Sequence, residues 1–431
     1  MGKNKVFYGW WVIGVLILTA TITSGTGFYC FGVFIEPLME DFGWSKSQVT
    51  WILTIYWISA SISAPLVGKL VDVYGIKRVM VVATFCNGIC LLALSQVQAL
   101  WQFYLLYGIK AICHAGIGLI AIGAITSKWF KKKRGRATGI ATTGIGFGGL
   151  FLAPFAGFLI PIAGWRAVFL VLGIFVFFVA LPLVALIIQP TPESMGLLPD
   201  GDVQETTAAG KTTPLASGPA LNLEIPLPLA VRTPAFWLIS FSFMMAGACL
   251  FGMLAHQTSY IESIGISRET ASLALGFTAG MGILGKILLG FLAERISVRF
   301  ASLVCFGLQF VGVGILMMTH TMFLVWVYAI VFGFSMGGLV TLRTLIVIDF
   351  FGSAAIGAIL GITSLIFAMG AAFGPLYAAY VFDFTQSYYW AFLIYMAMYV
   401  IAMGMLFTAR KVKAGVLPAL ANPAIRAEKS A

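Results

Sequence analysis

Apolar residues along this chain come in blocks rather than at the spacing of a soluble core, and each block is closed by charged or turn-forming residues. Stretches 79–109 and 167–190 hold no charge over more than the roughly 20 residues a helix needs to cross a bilayer. Twelve blocks of this kind predict membrane-spanning helices over 8–35, 48–70, 78–96, 99–127, 136–160, 166–189, 235–261, 269–293, 300–319, 322–348, 355–381 and 388–409. The long polar stretch 190–234, with Glu193, Asp200, Asp202, Glu205 and Glu224 among Pro, Thr and Gly, reads as a linker. It divides a six-helix half, 1–189, from a second, 235–410, leaving a polar tail at 411–431. The expected fold is therefore all-α and polytopic. Lys3 and Lys5 precede a block far too long for a signal-peptide core, and no small-residue cleavage site follows, so no leader is expected.

Composition agrees: of 431 residues 60% are hydrophobic and 10% charged, where a soluble domain would carry roughly a quarter charged. The excess of 26 Lys and Arg over 15 Asp and Glu, +11 net, would suggest nucleic acid in a soluble chain. Its placement says otherwise. With the N-terminus inside, twenty basic residues fall on the cytoplasmic side, including Lys69, Lys77, Arg78 and the cluster Lys128, Lys131, Lys132, Lys133, Arg134 and Arg136. Three fall outside (Lys46, Arg166, Arg268) and three within spans. That asymmetry places both termini in the cytoplasm and turns the charge toward anionic lipid of a cytoplasmic (inner) membrane, with no role for nucleic acid. The six cysteines all sit in apolar runs without metal-ligand spacing, so neither disulfides nor a metal site is expected.

The halves repeat at an offset of 222 residues. Gly68-Lys-Leu-Val-Asp72 returns as Gly290-Phe-Leu-Ala-Glu294, Lys77 as Arg299, and Gly43, Ser45 and Lys46 as Gly265, Ser267 and Arg268. Gly139-Ile140 matches Gly361-Ile362, with Pro154 and Pro375 near the same offset. Two parallel six-helix halves are the plan of alternating-access carriers, which hold substrate near midplane between them.

Gly68, Leu70, Asp72, Gly75, Lys77 and Arg78 resemble the loop 2–3 signature of the major facilitator superfamily, and Gly290–Arg295 its degenerate second copy. Tyr8-Gly9-Trp10, Phe31-Gly-Val-Phe34, Phe42-Gly-Trp-Ser45, Gly164-Trp-Arg166, Pro199-Asp-Gly201 and Arg232-Thr-Pro234 are similar to motifs of monocarboxylate porters and bacterial oxalate/formate-type antiporters. The loop residues Asp72, Lys77, Arg78, Glu294 and Arg295 are expected to be gating hardware, a charge lock that stabilises the outward-facing state rather than a substrate contact.

Lys110, Lys286 and Arg343 lie inside spans, and His114 and His256 could join them as cations. No Asp or Glu lies near any span's centre. A cation at the bilayer centre costs about 2.5–3.5 kcal/mol, so it normally faces a wet cavity with a partner. Without a carboxylate near any span's centre, the partner is expected to be an anionic ligand. Lys110 and His114, four apart, share a helical face with Tyr107 and Gly118, either lining the cavity or serving structure. Lys286 stands where the resembling families typically carry an Arg that grips the substrate carboxylate, which makes it the leading ligand. Lys offers a point charge where Arg offers a fork, so geometric selection should be weaker. Arg343 either pairs with Asp349 or snorkels to the headgroups, or else draws anions into the inner vestibule. His256 binds substrate or titrates, or is simply polar near the outer mouth. Tyr29, Tyr56 and Trp57 are candidate lining residues, Tyr29 standing near the helix 1 Lys of the resembling porters.

Two departures qualify the resemblance. Proton-coupled porters often place an Asp four residues before the Arg, where this chain has Gly282, and oxalate/formate-type carriers use a second cation in helix 11, where it has Phe367. One anchoring charge suits a monocarboxylate better than a dicarboxylate. The expected function is a secondary carrier, working as a monomer without cofactor, that moves a lactate- or pyruvate-like anion with protons. The alternatives are an anion exchanger of the oxalate/formate type and a non-transporting anion sensor. No phosphate-binding Gly-rich loop supports ATP as power source, and no nucleophile–base or metal constellation supports an enzyme.

Overall fold

The computed structural model describes residues 7–201, 225–352 and 356–411, so most of the expected linker and nearly all of the tail lie outside the described residues. The first crossing, α1, runs Tyr8–Ser24 through a π-helical turn, Gly25–Tyr29, into Phe31–Phe42, well past the expected end at 35. Next come α2 (Lys46–Tyr74) and α3 (Ile76–Leu94). In α4, Leu100–Ile117 and Leu119–Trp129 meet at an interruption, Gly118, with φ −97° and ψ −133°. Arg134–Phe147, a second π turn at Gly148–Leu152 and the helix from Ala153 make α5. Gly164, at φ 77°, breaks that helix, and α6 continues from there to Ile187. The second half holds α7 (Pro234–Ser263), α8 (Arg268–Arg295), α9 (Val298–Met317), α10 (Met322–Phe351), α11 (Ile356–Thr385) and α12 (Tyr389–Thr408). Among the described residues, eleven stretches are long and apolar enough to cross a membrane. One of them, Gly135–Ile187, is 53 residues long and holds two crossings joined at Gly164, which gives twelve.

The repeat has a physical content at the starts of α2 and α8. Gly43 ends α1 at φ 67° and Gly265 ends α7 at φ 90°, a left-handed conformation that glycine adopts without strain. Two residues on, Ser45 Oγ accepts the Gln48 amide at 3.2 Å while Gln48 Oε1 accepts the Ser45 amide at 2.9 Å, a capping box. Ser267 Oγ likewise takes the Thr270 amide at 3.4 Å. The repeated residues are those that stop one helix and start the next.

The halves meet along a seam formed by α2 with α11, α5 with α8, and α1 with α7. The face carrying Phe7 and Lys411 is called here the terminal face. At the opposite face the seam is polar. Asp383 of α11 accepts the Lys46 and Ser47 amides at 3.1 and 2.9 Å and so caps α2 across the seam. Lys46 Nζ meets Glu36 at 2.7 Å, and Arg268 joins Glu262 at 3.2 Å to Glu40 at 3.3 Å. Deeper in, Thr54 Oγ1 donates to the Ala372 carbonyl at 2.8 Å, and Gly32 lies so close to α7 that a Cβ there would stand 2.8 Å from the Ala255 carbonyl. Along α5 and α8 the series passes Gly157 against Ser272 and Gly146 against Ile283, and ends where Lys286 Nζ reaches the Thr142 carbonyl at 3.4 Å. The halves are thus closed at the opposite face and part toward the terminal face.

On the terminal face a stretch expected to be linker is folded. Asp200 accepts the backbone amides of Lys131, Lys132 and Lys133 at 2.8, 2.7 and 3.2 Å, which clamps the basic loop between α4 and α5. Gln189 accepts Trp129 Nε1 on its carbonyl at 3.0 Å and Lys77 Nζ on its side chain at 3.4 Å.

Candidate anion site

At the level where the seam ends, aromatic rings from both halves touch in series. The π turn of α1 widens the helix and presents Phe28 and Tyr29 side by side, their rings 4.6 Å apart. Phe28 contacts Trp57 of α2 at 5.5 Å and Phe251 of α7 at 5.8 Å. Trp57 and Phe251 pack at 4.6 Å, and Phe251 reaches Phe367 of α11 at 6.1 Å. Tyr29 lies against Gly149 of the α5 π turn, which also faces Ala279 of α8. This aromatic wall is shared between the halves, and the Trp57 indole N–H in it is buried without a hydrogen-bond partner.

The span cations stand around the wall, and each takes a different position. Arg343 corrects the expectation of a pair with Asp349: that carboxylate is held by Lys411 at 2.5 Å. The Arg343 guanidinium turns instead into the bundle, 4.3 Å over the Phe367 ring, with Nη2 donating to Ser364 Oγ at 3.2 Å. Its Nε and Nη1 are buried without a partner. A helical side chain leans toward its helix's N-terminus, which for α10 is away from the terminal face, so the guanidinium reaches inward rather than to headgroups. Lys286, half-buried, has the long contact to Thr142 at the end of the seam, and among the described residues no carboxylate pairs with it.

Lys110 and His114 do share a face of α4, but Lys110 is 1% exposed and sits behind Tyr56, inside the first half. Its ammonium lies 5.5 Å from the Tyr56 ring centre and 5.2 Å from that of Tyr107, favourable contacts for a cation but no ion pair. His114, one turn on, is half-buried at the Gly118 interruption, its ring 5.8 Å from Tyr56 and its Nδ1 unpartnered. Tyr56 therefore stands between the Lys110–His114 pair and Trp57 of the wall.

His256 is placed in the closed face, fully buried, with Nδ1 3.2 Å from the Tyr388 hydroxyl and Nε2 2.8 Å from the Pro375 carbonyl. The loop residues take no part in the site. Asp72, Arg78 and Arg295 are exposed, and Lys77 engages Gln189. The Glu294 side chain lies outside the described residues. Sequence reasoning missed Phe28, Phe251, Ser364 and Asp383, since aromatic and small polar residues in apolar runs carry no signal of facing a seam. Asp383, two residues from the end of its helix, could have been found as a carboxylate at a predicted span end.

Comparison with known proteins agrees with this architecture. Residues 17–312 and 257–427 match the Major Facilitator Superfamily. Monocarboxylate transporter 12 of Rattus norvegicus is 25% identical over 90% of this chain and 82% of its own length. Monocarboxylate transporter 13 of the same organism is 23% identical over 93% and 89%, and monocarboxylate transporter 2 of Mus musculus 23% identical over 88% and 80%. Among solved structures, a bacterial homologue of the human lysosomal transporter Spinster, inward-facing and occupied, superposes with a TM-score of 0.71 at 16% identity, covering 94% of this chain and 97% of its own. The unoccupied form gives 0.72 at 17% identity, covering 96% and 100%.

Proposed function

The chain belongs to the Major Facilitator Superfamily, and from that membership we propose that it moves a small organic monocarboxylate, lactate- or pyruvate-like, by alternating access with proton symport. Both termini face the cytoplasm in this reading, and the membrane is the inner one. One observation carries it: no described carboxylate pairs with Lys110, Lys286 or Arg343, so the anion that completes the site comes from outside the chain. Three relatives, monocarboxylate transporters 12, 13 and 2, favour the same substrate class.

Lys286 is the anchor in this mechanism. It sits where the halves begin to part, so a carboxylate bound there replaces the long contact to Thr142 with a charge-assisted one. Neutralising the ammonium lowers the cost of closing the terminal side over an apolar wall. Tyr29 and the wall contact the substrate body; Lys110 acts through Tyr56 and keeps the pocket positive. His114, with a free ring nitrogen near the wall, is the proton carrier. The absence of a carboxylate near midspan favours exchange of one anion for another as the second reading.

Uptake of labelled L-lactate into proteoliposomes, with and without an inward proton gradient, tests both. Gradient-stimulated uptake that Lys286→Ala abolishes supports symport. Uptake only into anion-preloaded vesicles supports exchange, and no uptake under either condition removes the lactate-like substrate.

A further inference from the structure

We propose that Arg343, Ser364 and Phe367, with Phe251 and Trp57 facing them, form a second substrate subsite that selects carboxylates with an aromatic or similarly broad apolar body. The inference rests on the carboxylate reading above and names the substrate class more narrowly. Its first support is the guanidinium itself. Of the five N–H donors an arginine offers, Ser364 takes one, at 3.2 Å, while Nε and Nη1 are buried with no partner. Donors left so inside a bundle cost free energy unless a ligand answers them.

The second support is what surrounds the free donors. The guanidinium lies 4.3 Å over the Phe367 ring, Phe251 is 6.1 Å beyond Phe367, and Trp57 is 4.6 Å from Phe251. An anion held by Arg343 therefore has aromatic side chains next to its remaining atoms, Phe367 first and Phe251 behind it. Phe251 and Phe367 belong to the second half and Trp57 and Phe28 to the first, so a ring lying here touches both halves at once. Contact with both halves lets ligand binding bias their relative position. A three-carbon hydroxy acid satisfies the guanidinium but covers little of this wall. An arylacetate satisfies the guanidinium and stacks as well, which adds apolar burial and ring–ring contact.

Calorimetric titration of the purified full chain with phenylacetate and with L-lactate tests this. Wild type is expected to bind phenylacetate about tenfold more tightly than lactate. In Arg343→Gln phenylacetate affinity should fall by about tenfold or more. Phe367→Leu keeps the charge, and should weaken phenylacetate far more than lactate, so that most of the preference for phenylacetate is lost. It also serves if the arginine variant fails to fold, as a thermal melt would reveal. Equal affinity for the two anions in wild type, or a preference that neither substitution moves, overturns the proposal and leaves the monocarboxylate reading in place. Binding of neither anion by a folded wild type overturns both.

Discussion

Lys46 and Lys110 are about equally buried, 2% and 1% exposed, yet the fold treats them in opposite ways. Lys46, at the closed face, has Glu36 at 2.7 Å, the Phe382 ring at 3.6 Å, and Asp383 bonded to its own backbone amide. Lys110, near midspan, has two tyrosine rings and no carboxylate. The contrast extends to the regions around them. In the closed face Lys46 and Arg268 are paired with acids of this chain, whereas at midspan Lys286 and Arg343 end on neutral oxygens. A seal must close without help, so its charges are matched internally. In the proposed function the midspan cations form a binding site, which must remain incomplete until its ligand arrives, so their charges are not.

The sharpest way to break that contrast is to remove each lysine. Lys46→Ala should lower stability by about 3 kcal/mol, because Glu36 loses its partner in a largely buried place while retaining some water. Lys110→Met should leave the melting temperature unchanged or raise it, as no anion is stranded. Equal losses for the two variants would show that the distinction between seal and site is false. Next, Lys286→Ala should reduce substrate uptake about 100-fold with little change in melting temperature, the pattern of a ligand contact. A parallel fall in stability would assign Lys286 to the scaffold.

Asp383→Asn tests the seal from the other side. It weakens the cap that α11 places on α2, and the label accessibility of a cysteine introduced near the opposite face should rise about tenfold. Unchanged accessibility would mean that the apolar contacts alone hold this face shut. The smallest effect is expected at Asp200. Burial there favours the protonated form, but the three lysine amides outweigh it and hold the carboxyl below its ordinary value. The clamp is therefore complete above the unfolded carboxyl's pKa of about 3.9, and is lost as pH falls through the lower folded value. Amide exchange at Lys131–Lys133 should stay slow from neutral pH to about 4 and lose its protection below, and Asp200→Ala should make trypsin cleavage there a few-fold faster at neutral pH.

The crossings were legible in the sequence because lipid imposes a coarse rule: a span needs length and apolarity, and both are local properties. The ends of α2 and α8 were legible too, since Gly43, Ser45, Gly265 and Ser267 act on the backbone within three residues. The side-chain environments were not. Arg343 and Asp349 are near in sequence, but six residues apart they lie on different faces of α10, and Lys411 reaches that carboxylate from beyond α12. Phe367 marked the absence of a helix 11 cation in the sequence. In the fold it is the surface on which a helix 10 cation lies.

By itself, the sequence determined the number of crossings, their pairing into repeated halves, and the presence of cations in the spans without an acid to answer them. Those follow from transfer free energies and backbone conformation, which depend on a residue and its near neighbours. Only the tertiary structure decided which cations face the seam, which one withdraws behind Tyr56, and which histidine is spent in the closed face. Side-chain partners are set by helix rotation and by contacts more than a hundred residues apart, such as Asp383 on Lys46 and Lys286 on Thr142. Apolar periodicity specifies these too weakly to be read along the chain, because in lipid every face of a helix can be apolar.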